Sequence, residues 1–250
     1  MVLTPVDKNE PSPKKFLLVV DSNRATSSGM KSLLKQFQYK ALSVHTADEA
    51  LELSDIVMPS LVIIREVEDM TQVDFIQNLK RLDASGKVSV IVVSSSKDAG
   101  EERDCLSAGA VTCLRPPLNV ETLYRTIQVA IENVPRMNLR IDTNVPVIIK
   151  DKTLTCGNGT FATMLSENGL FVRTPDPCRL KTKIPITFKL ADKVLSAEAV
   201  VIYALKQGNP ANVEAGMGLQ FVRISDQDQA QIRSFIREEF RKGISVSQRT

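Results

Sequence analysis

The 250 residues are enough for about two ordinary domains, each with its own core. Apolar and charged contents of 43% and 24% exclude a disordered or fibrous chain, and no stretch reaches the ~20 apolar residues of a membrane-spanning helix. The net charge of +3 gives no whole-chain electrostatic case for nucleic acid, so neither nucleic-acid binding nor membrane insertion is expected.

Residues 1–15 are polar, with Pro5, Pro11 and Pro13 and no apolar run, which predicts a flexible leader and not a signal peptide. Cys105, Cys113, Cys156 and Cys178 are dispersed with no C-x-x-C pair, which argues against zinc and against a stapled secreted fold. They read as ordinary thiols, buried or half-buried, in a cytoplasmic protein.

From residue 16 to 134, strand-like blocks alternate with helical patterns. "FLLVV" (16–20), "ALSVH" (41–45), "LVII" (61–64) and "VSVIVV" (88–93) are short apolar runs of the kind buried on both faces of a parallel sheet. Met30, Leu33, Leu34 and Phe37 recur at helical spacing, and Thr46 to Glu49 has the S/T-x-x-E form of a capping box. A last helix shows Val120, Leu123, Ile127, Ala130, Ile131 and Val134 on one face. The alternation predicts an α/β doubly wound parallel sheet over 16–134, with chemistry beyond the carboxyl ends of the strands.

Those ends carry Asp21-Ser22, Arg65-Glu66 and Ser94-Ser95, with "AGAVTCLRPPL" around the fifth strand. In this order the pieces resemble the receiver domain of bacterial response regulators. The resemblance implies an acidic pair for magnesium after the first strand, a phosphoryl-accepting aspartate after the third, a hydroxyl after the fourth and a Lys-Pro after the fifth. Asp21 and Ser94 match. Ser22 replaces the second acid, Arg65 occupies the acceptor position, and the lysine position falls on Pro116 or Arg115. Arginine has no free lone pair to attack phosphorus, and its charge beside Asp21 takes the place of a metal. The expectation is a degenerate site of Asp21, Ser22, Arg65 and Ser94, an internal Asp21–Arg65 ion pair, and no metal. Glu66, read as a strand residue, is expected on the opposite face from Arg65.

After Pro135 the period changes to two. "VPVII", "GTFATML", "GLFVRT", "KIPITFKL", "LSAEAVVIYAL" and "GMGLQF" predict a second, all-β domain over 135–242, a six-stranded antiparallel barrel closed by one helix. Ser225 is the expected N-cap, Ile232, Phe235, Ile236 and Phe240 the apolar face, and 243–250 a tail. "RMNLRIDTNVPV", "MLSENGLFVRT" and "EAGMGLQFVRI", in that order, resemble the PilZ domain, a bacterial receptor for cyclic di-GMP. The resemblance implies that Arg136 and Arg140 form its R-x-x-x-R motif, and that Ser166 and Gly169 belong to its D/N-x-S-x-x-G motif.

A guanidinium fork can meet a phosphate or the O6/N7 edge of guanine with paired hydrogen bonds, and a flexible segment bearing two forks could wrap the ligand. Glycine at position 169 would allow the ligand a close approach. Met164 departs from the acid or amide of the motif, and the loss of a charge-assisted hydrogen bond costs ~1.5–3 kcal/mol.

Other features are read as structural. His45 is alone, with no metal or triad partners. Arg233, Arg237 and Arg241 read as a solvated helix stripe, and "TCGNGTF" as a turn and not a phosphate loop. Two function classes stay open: a non-enzymatic bacterial signalling protein that relays cyclic di-GMP to a protein partner by rearranging its domains, or a ligand-independent docking adaptor, by analogy for a motility or polarity apparatus. A third, the phosphorylated regulator, is opposed by Arg65. A homodimer is a further possible partnership that no surface singles out.

Overall fold

The computed structural model describes residues 15–83, 85–133, 135, 136, 138–149, 160–206 and 214–246, with only the backbone of the last six. The chain divides into two compact units, with a boundary between Pro135 and Arg136 and the second unit ending at Lys242.

In the first unit, β1 (Phe16–Val20), α1 (Arg24–Gln36), β2 (Lys40–Val44), α2 (Ala47–Ile56), β3 (Leu61–Ile64), α3 (Gln72–Leu82), β4 (Ser89–Val93), α4 (Ala99–Ala108), β5 (Thr112–Leu114) and α5 (Val120–Ile131) alternate strictly. The sheet order is β2-β1-β3-β4-β5, with every pairing parallel. Strands covered on both faces need continuous apolar runs. Accordingly, all four residues of β3 and Leu17 to Val20 of β1 are fully enclosed.

Polar residues start each helix, because its first N–H groups lack partners within it. Asn23, Thr46, Thr71, Asp98 and Asn119 each accept such N–H groups. The Thr46 hydroxyl accepts from Glu49 as the capping box requires, but the Glu49 carboxylate accepts from His45 N–H and not from the cap. Met30, Leu33, Leu34 and Phe37 are buried as their spacing predicts. Helix α5 stops at Ile131, short of the expected Val134, which lies outside the described residues. Lys15, assigned to the leader, is anchored there by an ion pair of 3.2 Å to Glu132, so the flexible reading does not hold for that residue; residues 1–14 lie outside the described residues.

The second unit contains β6 (Arg140–Ile149), β7 (Phe161–Ser166), β8 (Gly169–Arg173), β9 (Lys183–Leu190), β10 (Lys193–Leu205), β11 (Gly216–Ile224) and, as far as Lys242, α6 (Asp226–Val246). The strands close into an antiparallel barrel in the order β10-β11-β8-β7-β6-β9. Closure leaves no unpaired edge, and alternation fills the interior. Ile184, Ile186, Phe188, Leu190, Met217 and Leu219 all point inward and are buried.

Ser225 caps α6 by accepting the Asp228 N–H at 3.0 Å, and Ile232, Ile236 and Phe240 bury the helix face. The backbone of α6 continues to Val246, so the first residues of the expected tail are helical; residues 247–250 lie outside the described residues. The expected turn in "TCGNGTF" also falls largely outside them. Cys178 is disulfide-bonded, which corrects the expectation of four free thiols, while Cys105 and Cys113 are free.

Candidate functional site

In the first unit the side chains of interest gather at the carboxyl ends of β1 and β3, where the strand order reverses. Asp21 is only 2% exposed and its carboxylate is fully engaged. It accepts the Asn23 N–H at 3.0 Å and the Thr26 hydroxyl at 2.5 Å, and Arg65 Nη1 lies 3.4 Å away. The expected ion pair is present. Arg65 is positioned through its backbone, which donates to Val20 and accepts from the Gln72 amide.

Ser22 donates both its N–H and its hydroxyl to the Glu66 carbonyl, each at 3.0 Å. The Ser94 hydroxyl accepts from Ser96 N–H, and Arg115 turns away to pair with Glu102 at 2.8 Å. Glu66 corrects the strand-alternation argument. Strand β3 ends at Ile64, so Glu66 stands in the loop and its carboxylate accepts from the Ser95 hydroxyl at 2.8 Å, beside the ends of β3 and β4. There it lines a crevice of about 900 Å³ with Asp69, Met70, Ser94 and Glu101. Burial alone would raise the Asp69 carboxyl, but the N–H groups of Ala47 and Asp48 hold it below its usual pKa, so it serves to cap α2.

These residues do not fit the magnesium ion of a receiver. One carboxylate is present, a cation already sits on it, and Ser22 supplies no second charge. Among the described residues, no group of three or more His, Cys, Asp or Glu side chains could hold a metal. His45 serves the structure: its Nδ1 lies 3.0 Å from the Asp21 carbonyl.

In the second unit Arg140 opens strand β6 and is not part of a flexible segment; Arg136 alone precedes the strand, and is exposed. Strand pairing brings Arg140 opposite Ser166 and Ser166 opposite Gly169. Three of the four motif residues thus form one row on the outside of the barrel. In the adjacent row Asp142 pairs with Met164, and Arg140 Nη1 lies 3.8 Å from the Met164 sulfur. Asp142 was not foreseen from the sequence. Its signal is the alternation in "RID", which puts positions 140 and 142 on one face.

The β7–β8 turn is fastened on both sides. Ser166 hydroxyl donates to the Gly169 carbonyl at 3.0 Å, Glu167 pairs with Arg233, and Asn168 accepts from the Gln229 amide at 3.2 Å. Arg233 is therefore bound to the turn and is not merely part of a solvated stripe. Gly169 also has another purpose than the one expected. A Cβ there would lie 2.1 Å from the Leu219 carbonyl oxygen, so the bare backbone serves the approach of β11.

A parallel sheet in the order 2-1-3-4-5 is the receiver fold, and the closed six-stranded barrel with its C-terminal helix is the PilZ fold. Comparison with known families agrees: residues 17–128 match the response regulator receiver domain and residues 135–238 the PilZ domain. The chain thus carries a receiver domain followed by a PilZ domain, and its class is signal transduction.

A two-component response regulator of Oryza sativa subsp. indica, ORR3, is 25% identical over 120 residues, covering 47% of this chain and 92% of that protein. A cyclic di-GMP phosphodiesterase of Thermotoga maritima is 26% identical over 117 residues, covering 47% of this chain and 31% of that enzyme, within the receiver part. Among solved structures, a CheY-like receiver domain protein from Methanospirillum hungatei shares 22% identity at a TM-score of 0.45, covering 48% of this chain and 95% of its own. The Vibrio cholerae chemotaxis protein CheY4 shares 18% at 0.45, covering 47% and 99%.

Proposed function

We propose that the protein senses cyclic di-GMP with its PilZ domain and relays the message to a bacterial protein partner in the cytoplasm, without catalysis. The observation that carries this reading is the row Arg140–Ser166–Gly169 on the barrel exterior, with Arg136 four residues upstream. Guanidinium forks suit both parts of the ligand, its phosphates and the O6/N7 edges of its guanines. Met164 removes the motif's acceptor, but Asp142 stands opposite it on the same face. Its carboxylate is the substitute acceptor for guanine N–H donors.

Eight residues, 132–139, link α5 to β6. Drawing Arg136 onto a ligand held by Arg140 changes the path of that linker, which is the proposed route of the relay. The receiver serves as a docking module. Arg65 offers no nucleophile at the acceptor position, and Asp21 is already occupied.

Titration calorimetry with cyclic di-GMP tests the reading: saturable heat for the wild type that is lost in Arg136→Ala and Arg140→Ala supports it. Absence of heat in the wild type overturns it in favour of a ligand-independent docking adaptor, a reading favoured by the thioether at position 164. Small-angle scattering tests the relay, with a shape change expected at saturating ligand and identical curves excluding it.

A further inference from the structure

The row that begins at Asp142 continues around the barrel. Met164 pairs with Phe171, Phe171 with Gly218, and Gly218 with Tyr203, so the same outward face carries four neighbouring positions beyond Asp142. The rings of Phe171 and Tyr203 lie within 20° of parallel, their centroids 6.0 Å apart, and both are partly exposed.

The glycines of "GMGLQF" make that arrangement possible. A Cβ on Gly218 would lie 2.2 Å from the Tyr203 ring, and one on Gly216 would lie 2.7 Å from the Phe171 ring. The two rings therefore occupy the space that side chains of β11 would fill, and an aromatic surface crosses β8, β11 and β10. At its β7 end stands Met164, against which Arg140 lies. Carboxylate, guanidinium and aromatic surface are thus adjacent on one face, the combination that recognises a purine joined to a phosphate.

We propose that Phe171 and Tyr203 form a stacking platform for one guanine base of the cyclic dinucleotide, an assignment that rests on the function proposed above. Stacking on aromatic rings is available to any base, and truncating such a ring weakens binding by ~5- to 150-fold. Specificity for guanine is left to Asp142 and the arginines, whereas the platform supplies affinity.

The chain contains no tryptophan, so a Tyr203→Trp variant of the full-length protein carries a single reporter at the platform. Titration with cyclic di-GMP is expected to quench its emission, at the concentrations at which calorimetry detects binding, and Arg140→Ala in the same background is expected to abolish the quench. Phe171→Leu, with its fold verified by circular dichroism, is expected to weaken binding by ~5- to 150-fold; should it fail to fold, the quench alone decides. Calorimetric binding with unchanged tryptophan emission overturns the platform and leaves the sensor intact. No heat from the wild type overturns both.

Discussion

Replacing Arg65 by alanine isolates what the guanidinium contributes at the end of the receiver sheet. The pair separation of 3.4 Å corresponds to ~1.2 kcal/mol in water-like surroundings and ~5 kcal/mol at an effective dielectric of 20. Asp21 is 3% exposed by side chain and Arg65 24%, so the local environment is between those limits. Asp21 would retain the Asn23 N–H and the Thr26 hydroxyl, which spares it the full cost of an orphaned buried charge. The expected loss is ~2 kcal/mol, equivalent to ~30-fold faster exchange of the slowest β1 and β3 amides when these open by unfolding of the domain. Hydrogen exchange with mass spectrometry reads this in the full chain. A cycle with Asp21→Asn separates the pair from the rest: a coupling of ~1–2 kcal/mol is expected, and additivity within ~0.3 kcal/mol would show that the ion pair contributes nothing.

Four further outcomes are expected. Asp142→Asn removes the proposed substitute acceptor and weakens cyclic di-GMP binding by ~10- to 150-fold in calorimetry; an unchanged affinity removes Asp142 from the site. Gly169→Ala forces β8 away from Leu219, 2.1 Å from the new Cβ, and lowers stability by ~1–3 kcal/mol or more in urea denaturation, with or without ligand. Asp83 is buried, which alone would raise its pKa, but the Val88 N–H and the Ser85 hydroxyl, each at 2.7 Å, hold it below the usual value. A depressed folded pKa gives stability present above the unfolded value of ~4 and lost as pH falls through the folded one, so the advantage of wild type over Asp83→Asn should vanish in acid. Burial, then the neighbouring Cys105 and Glu102, push the Cys113 thiol up to about 11, and its alkylation by iodoacetamide should be slow at neutral pH and rise steeply toward that value.

The elements legible in the sequence are those whose periodicity reports burial directly. "LVII" and "KIPITFKL" coincide with β3 and β9 residue for residue, because one is enclosed on both faces and the other on alternate sides. The Asp21–Arg65 pair was legible too, since strand order places both at one sheet end. What the sequence did not disclose depends on register. Asp142 and Met164 are 22 positions apart, and only antiparallel pairing makes them neighbours. The aromatic row needs three such pairings in succession. The reach of a strand was underestimated where polar residues face outward, so Arg140 read as linker although it begins β6. Glu66 departs for the opposite reason: β3 ends at Ile64, two residues before it, so the alternation of a strand does not reach its side chain.

The β7–β8 turn is clasped by the last helix at two points, Glu167 by Arg233 and Asn168 by Gln229. Any energy that a bound molecule invests in reshaping those two residues is shared with the helix, and the helix returns the same amount. Substitutions on α6, far along the chain from the arginine motif, would therefore tune the affinity of any ligand that engages the turn.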